Sequence, residues 1–175
     1  MAAESRVSDP AVAAEPAAET SAAYVEGLLA GVVGAAVIAA WFFVLDVARG
    51  RPFYTPTVLG TALFRGGMGI ESPSGLPVDF EMVTSFTWVH VLVFLLIGTV
   101  AARLLALAER HPSFGFGVVL LFVFFEFGFF FACMVVAEPV LRALTWSEVL
   151  VGNLLAAAAM AAVLRRRHPR LTIRP

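Results

Sequence analysis

Four stretches of this chain, at about 24–47, 81–107, 114–137 and 144–164, are apolar over some twenty or more residues and nearly free of charge. A helix needs about 20 apolar residues to cross the hydrocarbon core of a bilayer. Each stretch meets that length, and water solvates none of them well. Composition agrees: of the 175 residues, 60% are hydrophobic and 14% charged, and the mean hydropathy is +0.89. A soluble domain is nearer half apolar and about a quarter charged. The fold class expected is therefore all-α, a polytopic four-helix transmembrane bundle occupying 23–167.

The flanks differ in kind. Residues 1–22 are rich in Ala, Ser, Pro and Glu, too poor in apolar surface to offset the entropy of ordering, and read as a disordered tail. No basic segment leads directly into an apolar core there, so no signal peptide is expected and the first span should insert uncleaved. Residues 168–175 form a basic tail. With four spans, one side holds Arg6, Arg103, Arg110, Arg165, Arg166, Arg167, Arg170 and Arg174, and the other Arg49, Arg51, Arg65 and Arg142. The bias of Arg toward the cytoplasm places both termini there. The expected home is a bacterial inner (cytoplasmic) membrane. Net charge is −1, which gives no general attraction to nucleic acid.

Local signals set the helix ends. Asp79 is placed to cap the second span, and Pro112 and Pro139 bracket the third. Gly27, Gly31, Gly34 and Ala35 in the first span, and Ala156 to Ala159 in the fourth, make small-residue faces. Such faces let helices approach closely and are the expected route to a protein partner or a homo-oligomer. Trp41, Trp88 and Trp146 all fall near one predicted membrane surface, as interfacial aromatics do. Between the first two spans, a short extracytoplasmic helix is expected from Pro56 to Phe64, with Thr55 as its cap. Its apolar side would carry Val58, Leu59, Ala62 and Leu63. The following GGMG run lacks the Lys-Ser/Thr pair of a phosphate loop.

Ionisable groups at membrane depth are costly and are functional candidates by default. Those here are His90, Glu126, Asn153 as their polar companion, and Asp46, with Thr87, Cys133 and Glu138 as secondary candidates. Counting 1.5 Å per residue puts His90 and Asn153 about 12 Å and Glu126 about 16 Å below one surface, so the three are expected in one layer, with Asp46 shallower. Each also has a structural reading. Glu126 is a neutral carboxyl bonding another helix, His90 a helix-linking donor, Asn153 packing glue and Asp46 an interfacial ion pair with Arg49 and Arg51. Glu138 falls at headgroup level. The Phe-rich third span is lipid-facing and packing surface first, and a quinone or pigment pocket second.

Several chemistries lack their residues. A bis-His haem needs two axial ligands, but His111 and His168 lie outside the spans. A dinuclear carboxylate centre needs four carboxylates and two His. A single cysteine, Cys133, excludes an internal disulfide and CxxC metal or redox motifs. No residue pattern specifies a cofactor or metal, and no HExxH or Ser-His-Asp grouping is present. An enzyme is left open, with no complete catalytic motif in its favour.

The segment GRPFYTPTVLGTALF after the first span, FEF in the third and GNLLAA in the fourth resemble a group of bacterial four-span membrane proteins. The resemblance covers most of the chain beyond residue 23. It implies the same four-helix topology and brings no activity. Three functions compete: a non-catalytic membrane component binding a partner or a lipophilic ligand; an intramembrane His90–Glu126 site for protons, a quinone or a metal; and a lipid-modifying enzyme using Asp46 with Arg49 and Arg51 on lipid phosphate.

Overall fold

The computed structural model describes residues 10–66, 68, 70, 76–110 and 145–167, and among these the chain is entirely helical outside its turns. Four helices are formed: α1 (Pro10–Ala48), α2 (Tyr54–Arg65), α3 (Phe80–Arg110) and α4 (Trp146–Arg167). Three are long and apolar enough to cross a membrane, over Ser21–Ala48, Phe80–Leu107 and Trp146–Arg166. The span expected at 114–137 lies outside the described residues.

Helix α1 begins at Pro10, well inside the segment read as a tail. Pro is pre-shaped for a first helical position, and the Ala and Glu around it are strong helix formers. The other end of α1 is set by Gly50, whose φ is 71°. Its N–H donates to the Val47 carbonyl (2.9 Å), while the Arg51 N–H reaches back to the Asp46 carbonyl (2.8 Å). This is a Schellman stop with glycine at the left-handed position. Helix α3 starts where Asp79 predicts: its Oδ1 accepts the N–H groups of Glu81 (3.0 Å) and Met82 (3.3 Å). The short helix runs two residues earlier than expected at its start, and Thr55 is not its cap. Phe53 takes that position with a left-handed backbone, φ 64° and ψ 15°.

Helix α1 is the organiser. Its glycine face meets α3: a Cβ on Gly27 would stand 2.5 Å from the Thr99 Cα, and Gly31 and Gly98 are equally closed by backbone of the facing helix. Gly34 in turn abuts Met160 of α4, with 2.5 Å from the position of its Cβ to Sδ. The small residues predicted to admit another helix therefore admit helices of this same chain. The pairings of Gly27 with Thr99 and Gly31 with Leu95 run antiparallel, as do Gly34 with Met160 and Trp41 with Gly152. So α1 opposes both α3 and α4, and those two point the same way.

Two buried clusters result. One joins Ala30, Ala102, Met160 and Leu164, backed by Phe94 and Leu105. The other lies under α2, where Tyr54, Val58 and Ile70 meet Leu76 and Val149. Away from these, the spans turn large apolar side chains outward: Val32 is 51% exposed, Leu96 65% and Leu154 51%. In water such surface costs roughly 25 cal/mol per Å²; in lipid it costs nothing of the kind.

Candidate functional site

The polar side chains concentrate where α2 crosses the end of the bundle. Asp46 is 1% exposed. Its Oδ2 accepts the Thr55 N–H (2.7 Å) and its Oδ1 the Thr55 hydroxyl (2.8 Å). A carboxylate from the last turn of α1 thus caps the first turn of α2, satisfying an N–H that no helix can pair internally. The same residue ends one helix with its carbonyl and begins the next with its side chain. Arg49 and Arg51 add charge attraction to Asp46, but its hydrogen bonds go to Thr55. Arg49 reaches across to the Glu148 carboxylate of α4, and the Arg51 guanidinium lies 4.0 Å over the Tyr54 ring.

The rest of the joint is built from threonines. Thr57 Oγ1 donates to the Phe53 carbonyl (2.8 Å) and accepts the Asp79 N–H (3.4 Å), while Thr61 Oγ1 donates to the Thr57 carbonyl (2.8 Å). Arg65 at the end of α2 pairs with Asp79 (2.9 Å) and Glu81 (3.5 Å) at the start of α3. The Met82 N–H above all, helped by Arg65, holds the Asp79 carboxyl below its ordinary range. The Glu148 carboxylate raises the Arg49 guanidinium above its already high value, so that cation is permanent. Trp41 Nε1 donates to the Glu148 carbonyl (2.9 Å), fixing α4 against α1. Glu148 Oε2 is buried and has no hydrogen-bond partner among the described residues. Phe53 sits with its ring between Phe43 (5.2 Å) and Phe80 (5.9 Å). Those contacts hold it in a backbone conformation that a bulky residue rarely takes.

His90 lies elsewhere. Its Nε2 is 3.2 Å from the Ala35 carbonyl oxygen. A carbonyl only accepts, so this nitrogen carries the hydrogen, and the neutral ring keeps its lone pair on Nδ1. Phe86 stacks on the imidazole at 5.8 Å and Phe94 tilts against it at 4.8 Å. Ala35 and Asp46 are eleven residues apart on α1, or about 16 Å along the axis, so Asp46 and His90 do not share a site.

Asn153 is offset along the bundle from His90. Its neighbour Gly152 packs on Trp41 and Ile38, three to six residues beyond Ala35, an offset of roughly 5–9 Å. The cause is register: the Gly152–Trp41 contact slides α4 toward the α2 end. Thr87 turns its hydroxyl back to the Val83 carbonyl (2.7 Å) on an exposed face and joins neither group. Glu126, Cys133 and Glu138 lie outside the described residues. Among the described residues no group of His, Cys, Asp and Glu could hold a metal ion.

The sequence reading passed over the Arg49–Glu148 bond and the buried threonines. Glu148 stands three residues after Thr145, the spacing of a local capping box, which hides its bond to α1. Thr57 and Thr61 are one helical turn apart on the same face, and that was legible. In comparisons with known proteins, the chain matches no family model, no curated protein and no solved structure.

Proposed function

We propose that this chain is a four-span inner-membrane protein that acts without catalysis, holding a protein partner or a lipophilic ligand through its exposed helix faces. The observation that carries the reading is the state of its polar groups. Asp46, the residue best placed for chemistry, has both carboxylate oxygens engaged by Thr55 inside the bundle. The surfaces left open on the described spans are mostly apolar, and the exposed Thr84 and Thr87 hydroxyls turn back on their own helix. On α1 the free side places Val25, Leu29, Val32, Ala36, Ala39 and Phe43 at alternating steps of four and three, the spacing of a helix-packing seam. The lipid-modifying alternative loses its acid–base group to the same cap.

Two further observations support the membrane setting. The Arg103 guanidinium lies 4.1 Å over Tyr24, and Arg51 caps Tyr54 near Asp46. From Tyr24 to Asp46 is about 33 Å of helix, close to the roughly 30 Å hydrocarbon thickness. Helices α3 and α4 both oppose α1, and two parallel neighbours in the described part support the four-span reading. The Arg distribution then places both termini in the cytoplasm and α2 on the outer side.

The test is co-purification in mild detergent, followed by mass analysis of the intact assembly. A partner, a second copy or a retained lipophile is expected, and Ala36→Phe should remove a helical partner by blocking close approach. A strictly monomeric, ligand-free chain overturns the proposal. A second reading, an intramembrane site at His90, is favoured by one feature: its Ala35 bond leaves Nδ1 as a lone-pair acceptor at membrane depth. Retention of a bound quinone or metal that His90→Phe abolishes would establish it.

A further inference from the structure

Helix α2 buries its hydroxyls and leaves an apolar edge outside. Its threonines, Thr55, Thr57 and Thr61, are all buried against the bundle. Its outer edge carries Pro56, Leu59 and Leu63, one face by helical spacing, followed by Phe64; Leu59 also packs on the Tyr54–Val58–Ile70 cluster. Pro56 and Leu59 are half-buried, Leu63 is 55% exposed and Phe64 49%, and Met68 just beyond is 75% exposed. The one charge on the helix, Arg65, is drawn back to Asp79 and Glu81. A helix lying on a protein in water turns its apolar side in and its polar side out. Here Tyr54 and Val58 are buried with the threonines while the outer edge is apolar as well, and an apolar outer edge is what a lipid surround selects.

The position of α2 agrees. Gly60 is closed by the backbone of Met82, within the first turn of α3, and the Phe53 ring rests on Phe43, inside the apolar stretch of α1. So α2 lies beside the ends of the spans, not above them in water, and its outer edge continues their lipid-facing surface. We infer that the Pro56–Leu59–Leu63–Phe64 edge and Met68 are immersed in the acyl boundary of the leaflet at that end, about 5–10 Å deep. The inference rests on the membrane-spanning reading above. In it the buried threonines serve α2 as a private polar lining that needs no water.

The test uses the full-length protein with Cys133→Ser as background, labelled with bimane at a single introduced cysteine and reconstituted in phosphatidylcholine–phosphatidylglycerol vesicles. The probes are phospholipids brominated high or low on the acyl chain, and acrylamide in the water. Labels at Leu63→Cys and, independently, Met68→Cys should lose half or more of their emission to the high-brominated lipid and little to acrylamide. Strong acrylamide quenching without bromine quenching would place the edge in water and overturn the inference. Protection from both quenchers would mean that protein, a second copy or another part of this chain, covers it, and would overturn it equally. Labels at Val32→Cys, Leu96→Cys and Leu154→Cys report the spans separately. If none of these is quenched by the low-brominated lipid, the membrane-spanning reading itself fails.

Discussion

Replacing Asp46 by alanine removes the acceptor that joins α1 to α2. Two hydrogen bonds to an ionised group are lost, each worth about 1.5–3 kcal/mol. The Thr55 N–H remains buried without a partner, a further cost of about 1–3 kcal/mol. Against this, the mutant no longer has to desolvate a carboxylate, a penalty that offsets much of the gain from a buried charge. The net expected loss is about 2–4 kcal/mol of bundle stability. Asp46→Asn keeps one acceptor but turns an amide N–H toward a donor, so it should lose about half as much. Equilibrium unfolding in mixed micelles reads the global change. Local release is read by an aqueous maleimide on Val58→Cys, a fully buried position on the inner side of α2, whose reactivity should rise when Asp46 is replaced. A double-mutant cycle with Thr55→Val isolates the hydroxyl part of the joint. If Asp46→Ala stays within about 0.5 kcal/mol of the parent, the range of an ordinary surface change, and Val58→Cys remains protected, the reasoning that makes this carboxylate a structural cap is wrong.

Gly98→Ala drives a Cβ into the Gly27 carbonyl of α1, and overpacking of this kind should cost about 1–3 kcal/mol, measured as a shift in thermal aggregation in detergent. Asp79 has a lowered pKa in the fold, so its contribution is present above its unfolded pKa and disappears as pH falls through the lowered folded value; a pH series of helical melts should show that acid limb, and Asp79→Asn should keep the cap while abolishing the limb. His90→Leu, if the imidazole only ties α3 to α1, should cost about 0.6 kcal/mol, the average for a hydrogen bond between membrane helices. A much larger loss, or loss of a bound chromophore by absorption, would point to the intramembrane site instead. Glu148→Gln weakens its bond to Arg49 and should cost up to about 1 kcal/mol in equilibrium unfolding, a loss that disappears when Arg49→Gln is already in place.

The amino-acid sequence alone determined the class of this molecule. Whether a stretch enters lipid is a sum over its own twenty residues, and the ends of α3 at Asp79 and of α1 at Gly50 depend on neighbours a turn away; such local sums need no knowledge of the rest of the chain. The glycines of α1 announced a close helix contact on the same grounds, but not which helix would fill it. What the tertiary structure decided is everything that turns on register between distant elements. Asp46 was legible as a polar group near a membrane surface with arginines beside it, yet its hydrogen bonds to Thr55 were not. Arg49 finds Glu148, 99 residues on, only because Trp41 and Gly152 pack at that level. The same packing shifts Asn153 along the bundle from His90, which a count from the helix ends had put at one depth. Long polar side chains choose among all acceptors within reach, and small sliding of one helix past another changes that set. The burial of the α2 hydroxyls is the clearest instance: both faces of that helix can be read from its residues, but only the bundle, by offering Asp46 and Asp79 to its threonines, decides which face turns inward.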